Sequence, residues 1–304
     1  MKVAVVGSYG VGMTMRTPRV PVAGETLLGG TFSSGHGGKG SNQAVAARRL
    51  GAEVSFLTAV GDDSLGREAR ALWAAEGVDA SSVVTVDAAT MVGMILVEPS
   101  GENRIVIATG ALDHLRPEHV EAFRASITSA EIVVVSLEIP LDTATAALRV
   151  AREEGVRTLL NPAPAQPISV EVWPLVDVVT PNRTEAAILL GLDPEPDESA
   201  ETLAERLHAL GADTVVLTQG SHGALIHDVG GTRHVPPVAA TRVVDTTGAG
   251  DAFTGALAAE LAAGRSVDEA ARLAARVGAW VVGIHEVIPA LPHRSDLDPA
   301  PGAP

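Results

Sequence analysis

The sequence contains no cysteine, so disulfide bonds, a thiolate nucleophile and cysteine-ligated zinc are all excluded. Aromatic residues make up only 3% of the 304 residues, although 46% are hydrophobic. The interior must therefore be built from alanine, valine, leucine and isoleucine, which suits a parallel sheet covered by helices. An α/β chain of this length often forms one large domain, and we expect a single main core.

Basic residues are also scarce. The 37 acidic residues outnumber the 22 basic residues and give a formal net charge of −15, which disfavours binding to nucleic acid or to anionic membranes. No apolar run reaches the roughly 18 residues expected of a membrane span. The run Val3–Val6 is too short for the core of a signal peptide, and Gly7 interrupts it. We expect a cytoplasmic protein that binds a small polar molecule.

Short apolar runs alternate with longer segments of helical periodicity, which is typical of βαβ units and predicts an α/β fold with a parallel sheet. The predicted strands are Val3–Gly7, Val54–Ala59, Ile132–Ser136, Thr158–Asn161, Val176–Thr180 and Thr214–Thr218. The predicted helices are Gly40–Leu50, Gly66–Glu76, Leu141–Glu154, Thr184–Gly191 and Ala200–Leu210.

Two segments interrupt this alternation. Tyr9–Ser34 is rich in Gly, Pro and Thr, and Thr85–Thr109 contains two β runs, Val92–Glu98 and Arg104–Ala108, joined by a turn. We expect these segments, about residues 9–34 and 85–109, to form a small sheet that acts as a lid within a single domain spanning residues 1–304. The tail 297–304 is predicted to be flexible.

The strongest local motif is Asp245-Thr246-Thr247-Gly248-Ala249-Gly250-Asp251, which precedes an apolar helical segment. Small residues before a helix leave backbone N–H groups uncovered, and with the helix dipole these amides form an anion site. Asp251 lies at the mouth of that site, where a carboxylate could accept a proton from a hydroxyl attacking a phosphoryl group. The alternative is that Asp251 only caps the helix.

A second glycine-rich motif, Gly35-His36-Gly37-Gly38-Lys39-Gly40-Ser41-Asn42-Gln43, also precedes a predicted helix. Lys39 is followed by Gly40 rather than by Ser or Thr, which disfavours a P-loop. The glycines would permit close approach to a polyhydroxylated ligand, and Asn42 offers a donor and an acceptor to its hydroxyls. A flexible turn before the helix is the alternative.

Three weaker motifs leave alternatives open. The glycines in Gly7–Gly12 have the spacing G-x-x-G-x-G, which fails the dinucleotide-binding pattern and leaves an NAD-dependent dehydrogenase as a weak runner-up. Glu185 in Asn182-Arg183-Thr184-Glu185 could hold a water on Mg²⁺, or it could complete a capping box with Asn182. The turn Thr218–Gly223 could border a nucleotide or simply close a hairpin.

The order and spacing of the motifs resemble those of the ribokinase-like carbohydrate kinases, the PfkB family, from the first strand to about Leu291. The resemblance is carried by Gly37–Ala44, Gly61–Asp63, Asn161–Ala165, Asn182–Glu185 and Asp245–Asp251. It implies a Rossmann-like three-layer α/β sandwich with a mostly parallel central sheet and a small β-sheet lid. It also implies an ATP-dependent kinase that phosphorylates a hydroxyl of a small sugar, ribose or a related pentose first, and a homodimer formed through the lid.

The resemblance assigns expected roles to individual residues. The expected catalytic residues are Asp251 as the base and Gly248, Ala249 and Gly250 around the phosphate. The expected acceptor-binding residues are Gly10, Gly12, Gly37, Gly38, Lys39, Asn42, Glu138 and Asp251. The expected ATP-binding residues are Asn182, Glu185, Thr218, Gly220, Ser221, Gly223 and Gly250. Asp245 and Thr247 are expected to bind a monovalent cation, K⁺, and Glu185 to orient Mg²⁺ through water.

The sequence departs from the family pattern in two places. Members that act on ribose carry Asn and Asp shortly after the first Gly-Ser pair, and that Asp holds two sugar hydroxyls; the matching positions here are Gly10 and Gly12. The family's Lys-Gly-Ala loop reads His285-Glu286-Val287 here, which could alter cation dependence. The alternatives are a nucleoside or sugar-acid kinase of the same fold, or a non-catalytic regulator that binds sugar or nucleotide.

Overall fold

The computed structural model describes residues 1–297, and the flexible tail expected at residues 297–304 lies outside them apart from Leu297. Three sheets are present in this range. Their strands, numbered along the chain, are β1 (Lys2–Val6), β2 (Gly10–Arg16), β3 (Thr31–Gly37), β4 (Glu53–Leu57), β5 (Ala59–Gly61), β6 (Val84–Val86), β7 (Val92–Val97), β8 (Asn103–Ala108), β9 (Ile132–Ser136), β10 (Arg157–Asn161), β11 (Val178–Val179), β12 (Thr214–Thr218), β13 (Ala224–Asp228) and β14 (Gly231–Val235).

The α-helices alternate with these strands. They are α1 (Lys39–Arg49), α2 (Ser64–Glu76), α3 (Pro117–Thr128), α4 (Leu141–Glu153), α5 (Arg183–Leu189), α6 (Ala200–Ala209), α7 (Ala249–Ala262), α8 (Val267–Val281), α9 (Val287–Ala290) and α10 (Arg294–Leu297). Short 3₁₀ helices are Gly110–His114, Trp173–Leu175 and Gly220–His222. Within residues 1–297, none of the helices combines the length and the apolarity needed to cross a membrane.

The main sheet has eight strands in the order β14-β13-β12-β11-β10-β9-β1-β4. Six neighbouring strands pair in parallel, in the order β4, β1, β9, β10, β11 and β12. The last two strands, β13 and β14, form an antiparallel edge. The Ile-Val-Val-Val-Ser run of β9 is buried throughout, as expected of a parallel strand with helices on both faces. The predicted mostly parallel sheet is confirmed.

One predicted strand is much shorter than expected. Of Val176–Thr180 only Val178–Val179 forms β11. Ahead of it, the Asp177 carboxylate accepts a hydrogen bond from the backbone N–H of Thr158 at 2.7 Å, so a side chain replaces a backbone ladder bond. Pro181 follows and has no N–H to donate.

A hydrophobic core covers each face of the main sheet in the described part of the chain. Val3 and Val5 of β1 belong to one core, and Ala4 and Val6 belong to the other. The first core contains α1, α7 and α8, and the second contains α3, α4 and α6. Small residues let α1 and α7 approach closely, since an added Cβ at Gly255 would lie 2.6 Å from the Cβ of Ala46.

A second sheet of four strands has the order β3-β2-β7-β8 and comes from the two segments predicted to form a lid. β2 pairs antiparallel with β3 and parallel with β7. β3 extends beyond the predicted boundary at Ser34 and ends at Gly37. The flexible turn considered for Gly35–Gly37 is therefore wrong, because these residues are part of a strand.

Candidate active site

Asp251 is a buried carboxylate in the first turn of α7, with 7% of its surface exposed. Its oxygens accept hydrogen bonds from Nδ2 of Asn42 at 2.8 Å and from Nε2 of Gln43 at 3.1 Å. The N-cap of α7 is Gly248, and within residues 1–297 no side chain caps this helix. The capping interpretation of Asp251 is therefore wrong, because its carboxylate is held by α1 rather than by its own helix.

The first turn of α7 carries free backbone donors. The N–H of Ala249 donates to the carbonyl of Thr246 at 3.3 Å, but no described residue accepts from the N–H of Gly250 or Asp251. Apart from its chain neighbours and the backbone of α7 itself, no described atom would lie within 4 Å of an added Cβ at Gly250, so the space beside this turn is open. Free amides at the positive end of a 14-residue helix can stabilise an anion such as a phosphate.

Two glycines place the start of α1 directly against the chain that follows β1. Gly38, the N-cap of α1, has φ 87, and a Cβ there would lie 2.5 Å from the Cα of Tyr9. A Cβ at Gly40 would lie 2.6 Å from the carbonyl carbon of Gly7. Only glycine fits such close backbone contacts. The glycines therefore bring Lys39 and the start of α1 to the carboxyl end of β1.

Glu138, just after β9, is held by the same part of the chain. Its Oε2 accepts hydrogen bonds from Oγ of Ser8 at 2.6 Å and from the backbone N–H of Lys39 at 3.0 Å. These donors come from the segment after β1 and from the start of α1. The expected acceptor-binding residues Lys39, Asn42, Glu138 and Asp251 thus lie in one cluster.

Charges within this cluster influence one another. Burial raises the pKa of the Asp251 carboxyl, against a lowering by the Lys39 ammonium. Burial alone would lower the pKa of Lys39, but the carboxylates of Asp251, Glu138 and Glu185 outweigh it and the net pKa is raised. Burial also raises the pKa of Glu185. Lys39 therefore remains an ammonium ion and partly balances the surrounding carboxylates.

Two buried acceptors in the cluster lack partners. Oδ1 of Asn42 and Oε1 of Gln43 accept no hydrogen bond from any described residue. A buried polar atom without a partner costs free energy, on the order of 1–3 kcal/mol. Hydroxyl donors of a bound sugar could supply the missing bonds, which fits the expected role of Asn42.

The expected ATP-binding residues meet at the ends of β11 and β12. Asn182 and Glu185 form the capping box of α5, and the segment Gly220–His222 turns the chain between β12 and β13. Both structural alternatives considered for these motifs are therefore present. In addition, Asn182 forms a parallel bridge with Thr218, which places the two motifs side by side.

Asp245 and Thr247 form a compact turn before α7. Oδ1 of Asp245 accepts a hydrogen bond from the N–H of Thr247 at 2.9 Å, and Oδ2 lies 3.1 Å from Nδ1 of His285. Burial alone would raise the pKa of Asp245, but the bonds from Thr247 and His285 lower it overall. Across residues 1–297 there is no group of three or more His, Asp or Glu side chains arranged to hold a metal ion.

Some residues of the cluster received no role from the sequence. Nε2 of Gln43 donates to Oδ1 of Asn161 at 2.9 Å as well as to Asp251, and Ser8 orients Glu138. Gln43 and Asn161 both belong to the quoted family motifs, and a buried polar side chain at the start of an alanine-rich helix is the signal that could have identified Gln43.

A buried carboxylate beside an open helix N-terminus, on an α/β sheet flanked by a small β sheet, is an arrangement suited to phosphoryl transfer to an alcohol group. The chain matches the model of the pfkB family carbohydrate kinases over residues 1–294. It belongs to that family, so it is a carbohydrate kinase, and the resemblance drawn from the motifs is confirmed.

Individual relatives agree with this assignment. The chain is 39% identical over 290 residues to the ribokinase of Haemophilus influenzae, covering 94% of each chain. It is 35% identical over 260 residues to the deoxyribokinase of Salmonella typhi, covering 85% of each chain. The structure of Arabidopsis thaliana ribokinase complexed with ribose and ATP matches with a TM-score of 0.92 and 29% identity over 97% of each chain. The predicted Rossmann-like sandwich with a small sheet is therefore confirmed.

Proposed function

We propose that the chain transfers the γ-phosphoryl group of ATP to a hydroxyl of a small sugar, with ribose or a related pentose as the first acceptor to test. The observation that carries the proposal is the Asp251 carboxylate, held by two amides of α1 beside the free N–H groups of α7. The relatives named ribokinase and deoxyribokinase, and the neighbour complexed with ribose and ATP, support the choice of substrates.

In this proposal Asp251 takes the proton of the attacking hydroxyl as its oxygen forms a bond to the γ-phosphorus. The bond between that phosphorus and the leaving oxygen of ADP breaks in the same step. The N–H groups of Gly250 and Asp251 stabilise the negative charge that develops on the phosphoryl oxygens. Asn42 and Glu138 hold other hydroxyls of the acceptor, and Lys39 offsets the charge of the carboxylates.

ATP is proposed to contact Asn182 and the turn from Thr218 to Gly223. Glu185 fits a role in orienting Mg²⁺, which is usually held by few carboxylates, keeps several waters and would neutralise phosphate charge when bound. Asp245 and Thr247 fit a monovalent cation less completely, because both oxygens of Asp245 already have hydrogen-bond partners. We therefore propose that the reaction requires Mg²⁺, and that K⁺ increases the rate of the reaction without being required for it.

The test is an ATP-consumption screen over pentoses, hexoses, sugar acids and nucleosides with Mg²⁺ present, run with and without K⁺. We expect ADP formation that depends on a sugar acceptor and on Mg²⁺, with further stimulation by K⁺. The absence of acceptor-dependent ADP formation across the whole panel would favour the non-catalytic regulator.

A nucleoside or another acceptor larger than ribose is the second candidate, and the space at Gly12 favours it. An added Cβ at Gly12 would meet only Cδ1 of Ile95 at 3.8 Å and the carbonyl of Gly35 at 4.0 Å among the described atoms. Gly10 offers no such room, because a Cβ there would lie 2.3 Å from Cε of Met91. Extra acceptor volume is therefore expected at Gly12 and not at Gly10.

Activity is expected to depend on pH through Asp251. A general base must be ionised, and burial raises the pKa of this carboxyl above its ordinary value. The acidic limb of the profile of kcat/KM against pH should therefore lie above the value of about 3.9 typical of an exposed Asp. A profile measured with the best acceptor would contradict this assignment if kcat/KM stayed constant down to pH 4.

We also propose a homodimer formed through the four-stranded sheet, in a cytoplasmic protein. Phe32, Met94 and Val106 are exposed by 58%, 47% and 72%, and their cross-strand register puts them on one face. Replacing Phe32 and Val106 with serine should shift sedimentation from dimer to monomer, whereas Val229→Ser, at another exposed valine, should not. A wild-type monomer would overturn the proposal.

A further inference from the structure

Glu286 has a backbone conformation that is normally reserved for glycine. It is the N-cap of α9, with φ 64 and ψ 158. Across residues 1–297 it is the only residue other than glycine with a positive φ. A Cβ in this region collides with the neighbouring backbone, and residues held there are concentrated at functional sites.

The side chain of Glu286 reaches the four-stranded sheet. An added Cβ at Gly35 would lie 3.6 Å from Oε2 of Glu286. Gly35 is the cross-strand partner of Gly12, so the two residues present the same face of the sheet. Neither residue has a side chain, and the Glu286 carboxylate lies against bare backbone at Gly35, while Gly12 keeps open space beside it.

The neighbouring residue ties Glu286 to the candidate active site. Val287 packs on Gly248, where an added Cβ would lie 2.4 Å from Cγ1 of Val287. Gly248 is the N-cap of α7, whose first turn carries Asp251. Residues 286 and 287 thus link the glycine face of the small sheet to the start of α7, the turn that carries Asp251.

The Glu286 carboxylate is also free to bind a ligand. The residue is exposed, and no other residue from 1 to 297 donates a hydrogen bond to its carboxylate or forms an ion pair with it; its neighbour His285 contacts Asp245 instead. By contrast, the carboxylates of Glu138 and Asp251 are each held by two donors. A carboxylate can only accept hydrogen bonds when ionised, and it bonds hydroxyl donors strongly.

We propose that Glu286 is a specificity-determining residue of the acceptor site, whose carboxylate accepts hydrogen bonds from hydroxyls of a sugar lying under the Gly12–Gly35 pair. The inference rests on the proposed function and narrows its substrate class. Glu138 and Asp251 already place negative charge in the cleft, so the added carboxylate selects a neutral polyhydroxylated acceptor and disfavours sugar acids.

The test compares Glu286→Gln and Glu286→Gly with the wild type in the full chain, with Glu195→Gln in an exposed loop as a matched control. Glu286→Gln should raise the KM for the acceptor by about 10- to 100-fold, the equivalent of one or more hydrogen bonds to a charged group, with kcat and the KM for ATP within threefold of wild type. Glu286→Gly should raise the acceptor KM as much and also raise Tm, because it relieves the backbone conformation.

The outcomes separate this inference from the proposed function. A wild type that phosphorylates no neutral acceptor overturns both. An active wild type whose acceptor KM changes less than twofold in both variants overturns the inference alone, as does a Glu286→Gly protein that gains Tm with an unchanged acceptor KM. Glu286→Gln should also reduce the preference for the sugar over its aldonic acid by about tenfold, and an unchanged preference would contradict the proposed selection by charge.

Discussion

Replacing Asp251 with asparagine is expected to lower kcat by roughly 10²–10⁴, the range for loss of a general base, while ATP binding is retained. The amides around the site can accept the change. Oδ1 of Asn42 has no partner among the described residues, so rotation of the Asn42 amide turns its donor toward Asp251 into an acceptor for the new NH₂ group. The Gln43 amide can keep its orientation, because its Nε2 still donates to Oδ1 of Asn161 and to the carbonyl oxygen of the new side chain.

The same substitution should leave the protein at least as stable as the wild type near pH 8. Because burial raises the folded-state pKa of Asp251, any stabilisation by this group is fully present only below its unfolded pKa of about 3.9 and is lost as the pH rises through the folded pKa. Above the folded pKa the ionised carboxylate therefore destabilises the fold, and a neutral amide removes that cost.

Three measurements distinguish a catalytic from a structural role of Asp251: steady-state kinetics with the best acceptor, ATP binding by calorimetry, and thermal unfolding. Lost turnover with a retained Tm and retained ATP affinity fits a catalytic base. Near-normal turnover would reduce Asp251 to a structural residue, and a large fall in Tm would mean that its bonds to Asn42 and Gln43 hold α1 and α7 together.

The second large effect is expected at Gly250. Replacement by valine should lower kcat/KM by about 10²–10³, comparable to losing one donor of an oxyanion hole, because the side chain enters the open space beside the free amides. Stability should change little, because no described atom outside the backbone of α7 lies within 4 Å of the added Cβ. Equal losses of activity and of Tm would favour a structural role for this glycine.

Gly255, about one and a half turns further along α7, provides the control for Gly250. An added Cβ there would lie 2.6 Å both from the Cβ of Ala46 and from the carbonyl of Gln43. Gly255→Ala should therefore destabilise the protein by about 1–3 kcal/mol, as overpacking of a core does, and lower Tm more than Gly250→Val. If Gly250→Val lowered Tm as much, the space in front of α7 would be filled rather than open.

Most strands of the main sheet and most helices could be predicted, because apolar runs and helical periodicity are properties of single short segments. The β-branched runs of β9 and β12 and the periodic helices α1 and α4 stand close to their predicted positions. The strand predicted around Val178 is too long, because the Asp177 side chain replaces a backbone hydrogen bond of the ladder. An apolar run predicts a strand but does not predict which side chain will bond the neighbouring backbone.

The motifs identified Asp251 and Asn42 separately, and the resemblance supplied their order. Their hydrogen bond joins residues 209 positions apart, so its geometry depends on how α1 and α7 pack. The sequence marks Gly10 and Gly12 alike as departures from the family pattern, but only Gly12 has open space beside it, because Met91 fills the first position. The positive φ of Glu286 could not be read from its residue type, because glutamate rarely adopts it.

The small sheet described above differs from the main sheet in how well its backbone is protected. All residues of β8 are exposed, whereas all residues of β9 are buried. A segment with few buried contacts can open without the rest of the molecule, so we expect the small sheet to open at a lower free energy than the main sheet. In a hydrogen–deuterium exchange experiment, the amides of the small sheet should exchange rapidly through such local openings. The amides of β9 should exchange only on global unfolding and therefore much more slowly. A sugar bound beneath it would then be reported by slower labelling of β2 and β3.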